Sequence, residues 1–187
     1  MRITGGDLGG RRIKAPRGDV RPTQDRVREA LFSMLVERVP GCRFLDLFAG
    51  SGIVGLEAWS RGAAYVLWVE SVRQTRLQLE RTVASLCDDG ARVIGGDVLR
   101  VLSRLGMETP FDVIFADPPY DFDDRAAVRP PGGSAWARLL DGVRESGLLA
   151  ADGLLVIETD RPVELAPGWQ LLKERTYGKT RLMLLYQ

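Results

Sequence analysis

Residues 44–55, FLDLFAGSGIVG, decide how this chain is read. An apolar run ending at Phe48 leads into Gly50, Gly52 and Gly55, which spell G-x-G-x-x-G. On its face this is the dinucleotide fingerprint, the tight turn between the first strand and first helix of an open α/β sheet. Asp46, four residues before Gly50, does not fit that reading, because a pyrophosphate held beside the loop would meet a carboxylate.

Downstream, short apolar runs alternate with helical periods. Residues 43–48 read as a strand, 52–61 as a helix closed by Gly62, 64–70 as a strand and 71–86 as an amphipathic helix. Residues 91–97 predict a third strand, followed by a helix to about Leu105, and 111–117 a fourth strand. This alternation predicts a parallel sheet covered on both faces. The end of the chain changes style. Residues 152–159 read as a fifth strand, and 169–187 as two strands joined by a tight turn at 177–179. A Pro/Gly-rich loop fills 121–136.

Upstream, residues 21–39 predict a helix stopped by Pro40-Gly41, with Thr23 as N-cap, Asp25 in the first turn, and Val27, Leu31, Met34 and Leu35 on one face. The first 20 residues hold two short alternating stretches around GGDLGG, which suggests a small β-hairpin weakly held by few apolar residues. The charge is uneven. Residues 1–28 carry eight basic residues against three acids, a net +5, whereas the rest carries 18 against 22, a net −4. Such a division suits an arm that meets a polyanion.

At 187 residues the chain fits one domain with a short appendage, and 45% apolar with 27% charged residues is ordinary for a soluble protein. Cys42 and Cys87 are far apart and there is no histidine, which argues against a zinc site, any other metal centre and a histidine base. Neither a signal peptide nor an apolar run of ~20 residues is present, so a cytoplasmic protein without a membrane partner is expected.

Ligands of open α/β sheets bind beyond the carboxyl ends of the strands. Asp46, Glu70, Asp97 and Asp117 fall at or near four such ends. One aspartate there is commonly a cap or turn residue, but four on one rim suggest a cationic ligand. S-adenosylmethionine, with a sulfonium and an ammonium and no phosphate, suits them; Glu70 would accept from ribose hydroxyls and Asp97 from the adenine amine. Asp117-Pro118-Pro119-Tyr120 then follows the fourth strand. Two prolines make a stiff turn with free carbonyls. The Asp117 carboxylate and Pro118 carbonyl can accept the two hydrogens of a nucleobase amine while Tyr120 stacks on the ring. Accepting both hydrogens frees the nitrogen lone pair for in-line transfer of a methyl group, and no prior base is required.

The stretches LDLFAGSGIVGLEAWSRGA and DPPY resemble class I S-adenosylmethionine-dependent methyltransferases acting on exocyclic amines. With RPTQDRVREALFSML, MRITGGDLGGRRIKAP and YGKTRLMLLY, the whole chain resembles the RsmD family, bacterial guanine-N2 methyltransferases of small-subunit (16S) rRNA. The resemblance implies a Rossmann-like, seven-stranded, mostly parallel sheet with a C-terminal antiparallel hairpin (23–187), and a β-hairpin arm (1–22). It implies that Asp46, Phe48, Gly50, Ser51, Gly52, Glu70, Ser71, Asp97 and Val98 line the cofactor, and that Asp117, Pro118 and Tyr120 hold the target guanine. Arg11, Arg12, Lys14 and Arg21 match the basic positions of the family's arm and would grip RNA phosphates, with Thr23 close to the pocket. The implied partner is small-subunit rRNA in an assembling subunit, met by a monomer. An adenine-N6 or other exocyclic-amine methyltransferase on RNA or DNA shares D-P-P-Y. A nicotinamide oxidoreductase is disfavoured by Asp46 and the C-terminal hairpin, and a non-catalytic RNA-binding module by the intact acids.

Overall fold

The computed structural model describes residues 1–14, 24–106, 110–119, 122 and 134–187. After the arm come α1 (Asp25–Met34), β1 (Arg43–Leu47), α2 (Ile53–Ser60), β2 (Tyr65–Glu70), α3 (Arg73–Leu86) and β3 (Ala91–Gly95). Then follow α4 (Val98–Leu105), β4 (Phe111–Ala116), α5 (Ala135–Glu145), β5 (Leu149–Thr159), β6 (Gln170–Tyr177) and β7 (Thr180–Tyr186). The strands form one seven-stranded sheet in the order β3-β2-β1-β4-β5-β7-β6. The first five are parallel, while β7 runs antiparallel to β5 and β6. The chain reverses between β1 and β4, where an open sheet makes its crevice.

Side-chain alternation divides the core into two layers. Phe44, Val66, Trp68, Val113, Phe115 and Val156 face α1, α2, α3 and the arm. Leu45, Leu67, Val69, Ile114, Leu155 and Ile157 face α4 and α5. These central strands are buried on both faces, which is why they read as continuous apolar runs and not as alternating ones.

The helix boundaries correct the sequence expectations. Helix α1 ends at Met34, and Arg38 and Val39 N–H both close back on the Leu35 carbonyl. Pro40 disfavours helical backbone at Val39, so the final turns tighten before it. Its N-cap is Gln24, without a side-chain capping bond, while Thr23 lies outside the described residues. Helix α5 was hidden behind the Pro/Gly-rich loop; Ser134 caps it by accepting from Ala137 N–H at 3.1 Å.

The arm is far from weakly held. Among the described residues its two stretches pair around an Arg2–Arg12 bridge, with Ile3 N–H donating to the Arg11 carbonyl at 2.9 Å and Ile13 N–H to the Met1 carbonyl at 3.0 Å, and Ile3 and Ile13 are buried in the α1–α3 layer. Thr4 N–H donates to Glu57 Oε1 at 2.6 Å, Leu8 N–H to Ser60 Oγ at 2.8 Å, and Ser60 Oγ to the Gly5 carbonyl at 2.6 Å. Beneath it lies a buried ion cluster. Arg28, wholly buried, donates to the Arg2 carbonyl at 2.7 Å and pairs with Asp25 at 2.9 Å and Glu57 at 3.4 Å. Arg61 sits 3.2 Å from Glu57. Arg28 therefore belongs to the fold and drops out of the polyanion-facing charge counted over residues 1–28. Among the described residues, no helix is long and apolar enough to cross a membrane.

Candidate active site

Strand register sets the depth of each acid. Asp46 aligns with Trp68 and Phe115, two residues short of the levels of Glu70 and Asp117. At about 3.3 Å per residue, Asp46 lies one tier beneath the rim. It is only 2% exposed, and one carboxylate oxygen accepts Gly55 N–H of α2 at 2.9 Å. Burial drives its pKa well above the ordinary carboxylate value; the Gly55 hydrogen bond opposes the rise and the nearby Glu70 charge adds to it. Glu70, on the same sheet face, joins two loops. Its Oε2 accepts Gly50 N–H at 2.8 Å and its Oε1 accepts Val72 N–H at 2.6 Å. A carboxylate has about four acceptor sites, so both oxygens retain capacity for a ligand.

The glycines have separate duties. Gly50 and Gly52 adopt φ of 53° and 75°, and Gly52 is the N-cap of α2. A Cβ on Gly52 would meet Leu79 Cδ1 at 2.2 Å, and one on Gly55 would meet Trp68 Nε1 at 2.2 Å. Gly55 thus lets α2 settle on β2, and the same Trp68 Nε1 donates to the Gly52 carbonyl at 3.1 Å. Gly55, the third glycine of the motif, therefore faces inward and serves helix–sheet packing. Phe48 also has positive φ, 61°, a strained conformation for a bulky residue. Ser51 Oγ accepts Ile53 N–H at 3.3 Å in the first turn of α2.

The third acid has a capping role. Asp97 is exposed, serves as N-cap of α4 and accepts Arg100 N–H at 3.2 Å. Ser71 is exposed just past β2, whereas Val98 is buried against the α4–α5 layer. The crevice therefore presents carboxylates at Glu70 and Asp97 with Asp46 below, around a loop from Phe48 to Gly52 that contains no Lys or Arg. This donor set fits a cationic ligand with hydroxyls and an amine, and not a pyrophosphate.

Across the chain reversal, Asp117 and Pro118 line a cleft together with Phe122, Trp136, Glu158 and Thr180. Phe122 bridges the two halves. Its ring packs edge-on against Phe48, with centroids 5.2 Å apart, and against Trp136 at 5.4 Å. Tyr120 and most of loop 121–136 lie outside the described residues. Glu158 and Thr180 were missed in the sequence. The signal was present for Glu158, since an acid at the carboxyl end of β5 obeys the rule that selected the other four.

On the arm, Arg11, Arg12 and Lys14 are exposed. Arg2 and Arg12 face each other across the bridge, a like-charge pair that favours an external anion over internal pairing. The Lys14 carbonyl accepts Gln78 Nε2 at 2.8 Å, which ties the arm to α3. Arg21 lies outside the described residues.

A family model described as "Conserved hypothetical protein 95" matches residues 1–186. The Escherichia coli K12 protein named ribosomal RNA small subunit methyltransferase D is 33% identical over 188 residues, covering 98% of this chain and 88% of its own length. The Haemophilus influenzae protein of the same name is 33% identical over 183 residues, covering 95% and 89%. A solved structure of a hypothetical protein from Thermus thermophilus superposes with a TM-score of 0.80 at 35% identity, covering 100% and 99% of the two chains. The family model and these relatives match nearly the whole length of the chain, and the chain belongs to the family of that model, the RsmD family.

Proposed function

We propose that this protein methylates the exocyclic N2 amine of a guanine in small-subunit (16S) rRNA, with S-adenosyl-L-methionine as cofactor. The observation that carries this reading is the rim itself, where Glu70, with Asp46 a tier below, borders the glycine loop on one side of the chain reversal and Asp117 and Pro118 line a cleft on the other. Glu70 and Asp97 would hold the cofactor's ribose and adenine, and Phe48, Gly50, Ser51, Gly52, Ser71 and Val98 would shape the space between. The bound cofactor supplies an electrophilic methyl group on a sulfonium.

Asp46 acts from beneath. A cation at the glycine loop offsets the burial that raises the Asp46 pKa, so cofactor binding and ionisation of Asp46 favour each other. The Asp117 carboxylate and the Pro118 carbonyl would orient the guanine N2 by accepting its hydrogens, and Tyr120 would stack on the base. With the methyl carried from sulfur to nitrogen and the cofactor left as a neutral thioether, N2 would become acidic and Asp117 would receive its proton. Arg11, Arg12 and Lys14, with Arg21 and Thr23 beyond, would fix the register of the RNA through phosphate contacts. The arm is residues 1–22 and the catalytic domain 23–187; the protein would work as a cytoplasmic monomer on an assembling subunit.

The test is Asp117→Ala, assayed for transfer of labelled methyl to small ribosomal subunits from cells lacking the gene. Transfer should fall by about 10²-fold or more, while calorimetric binding of the cofactor changes little. Surviving transfer would sink the role given to Asp117.

A further inference from the structure

Glu158 is a buried acid on the rim that the proposed chemistry leaves unused. It is 8% exposed and stands at the carboxyl end of β5, on the same rim as Asp117. Its position is set by register. Ala116 of β4 pairs with Ile157 of β5, in parallel, so Asp117 and Glu158 are the next residues on two adjacent strands. Neighbouring strands are about 4.8 Å apart and adjacent residues of parallel strands share a face. Asp117 and Glu158 both line the cleft that also holds Pro118 and Thr180.

We infer that Glu158 reads the Watson–Crick edge of the target base and selects guanine. The inference rests on the proposed guanine-N2 chemistry and deepens it. Guanine presents two adjacent donors on that edge, N1–H and N2–H₂. With the amine held by Asp117 and Pro118, N1–H is the neighbouring group, and a second carboxylate one strand away is the acceptor it needs. A purine whose N1 carries a lone pair would point that lone pair at a carboxylate. Thr180 and Arg161, in the same cleft, are donors suited to guanine O6. Selectivity therefore comes from β5 and β7, not from the D-P-P-Y turn that adenine-modifying enzymes share.

The test uses small-subunit rRNA carrying either guanosine or 2-aminopurine at the nucleotide the wild-type protein methylates. 2-Aminopurine keeps the 2-amine but has a lone pair at N1 and lacks O6. In single-turnover transfer the wild type should prefer guanine by roughly 100-fold or more, because a site built to accept a hydrogen bond strongly rejects an analogue lacking the donor. Glu158→Gln should narrow that ratio about tenfold, since the carboxamide can accept from N1–H or donate to the N1 lone pair. Unchanged cofactor affinity would show that the variant is folded. A wild type that methylates both bases within about fivefold would overturn the inference whether or not the variant folds. So would a Glu158→Gln protein that slows both bases equally, which marks Glu158 as a support for the cleft. If the wild type places no methyl on a guanine 2-amine, the proposed function fails and this inference with it. Failure of the preference alone leaves the proposed function standing.

Discussion

Glu57 is an acid in the middle of an apolar helix, and Glu57→Gln tests whether it holds the arm to the body. The side chain is fully buried and touches three groups: Thr4 N–H at 2.6 Å, Arg28 Nε at 3.4 Å and Arg61 Nη2 at 3.2 Å. The glutamine oxygen can still accept from Thr4, but the charge facing two guanidinium groups is gone. Breaking a buried pair by removing one partner costs about 3–5 kcal/mol. Asp25 remains on Arg28 at 2.9 Å but is half exposed, so it compensates little and the loss should be near ~3 kcal/mol. Against a total of roughly 5–15 kcal/mol for a folded domain, that is a large share, and it lowers the melting temperature by about 6–12 °C. Urea denaturation followed by circular dichroism gives the free energy, and hydrogen exchange at the Thr4 amide reports on the arm. The double variant Arg28→Met with Glu57→Gln should regain much of the loss, because the uncompensated buried cation has been removed. A single-variant loss below about 1 kcal/mol, or a double variant worse than the two singles combined, would refute this account.

Other expectations concern the glycine loop and the thiols. Gly55→Ala places a methyl 2.2 Å from Trp68 Nε1 in a fully buried contact, so it should cost about 1–3 kcal/mol despite alanine's better helix propensity; a stabilised variant in urea denaturation would show that α2 can slide. Burial pushes both thiols up to about 12, aided by Asp112 beside Cys42 and Asp88 beside Cys87. A disulfide reagent at pH 8 should therefore label the native protein very slowly and the denatured protein at once. Fast native labelling would contradict the burial.

Asp46 gives a pH dependence whose sign follows from its raised native pKa. The folded protein holds this proton more tightly than the unfolded chain, so Asp46's contribution to stability is fully present below 3.8 and is lost as pH rises through the native value. Cofactor binding should run the opposite way, tightening over that window with release of a proton. Calorimetry in buffers of different ionisation enthalpy measures the released proton, and Asp46→Asn should abolish it. Equal proton release by the variant would exclude Asp46 as its source.

The parallel sheet was legible because β1, β2, β4 and β5 are buried on both faces and read as apolar runs; β7 and its hairpin were marked by the turn at Gly178. What stayed hidden depended on tertiary partners. The arm contributes only Ile3 and Ile13 to the core, too little for its own sequence to predict firm docking, and its anchor Glu57 lies over 50 residues away on α2. The acids were found by their position at strand ends, but not their depth. Register places Asp46 a tier below Glu70, and the N-cap bond at Asp97 gives that residue a structural duty beside any functional one. Gly55 matched a ligand-loop motif for a packing reason, since its neighbour Trp68 comes from the following strand.

The central claim is a guanine N2 target, and the identity of the methylated nucleoside tests it most directly. Small subunits from cells lacking the gene, incubated with the protein and labelled S-adenosyl-L-methionine, would be digested to nucleosides and separated by mass spectrometry. The account predicts N2-methylguanosine from small-subunit rRNA at a single position. Label in N6-methyladenosine, or in no nucleoside despite measurable cofactor binding, would contradict it.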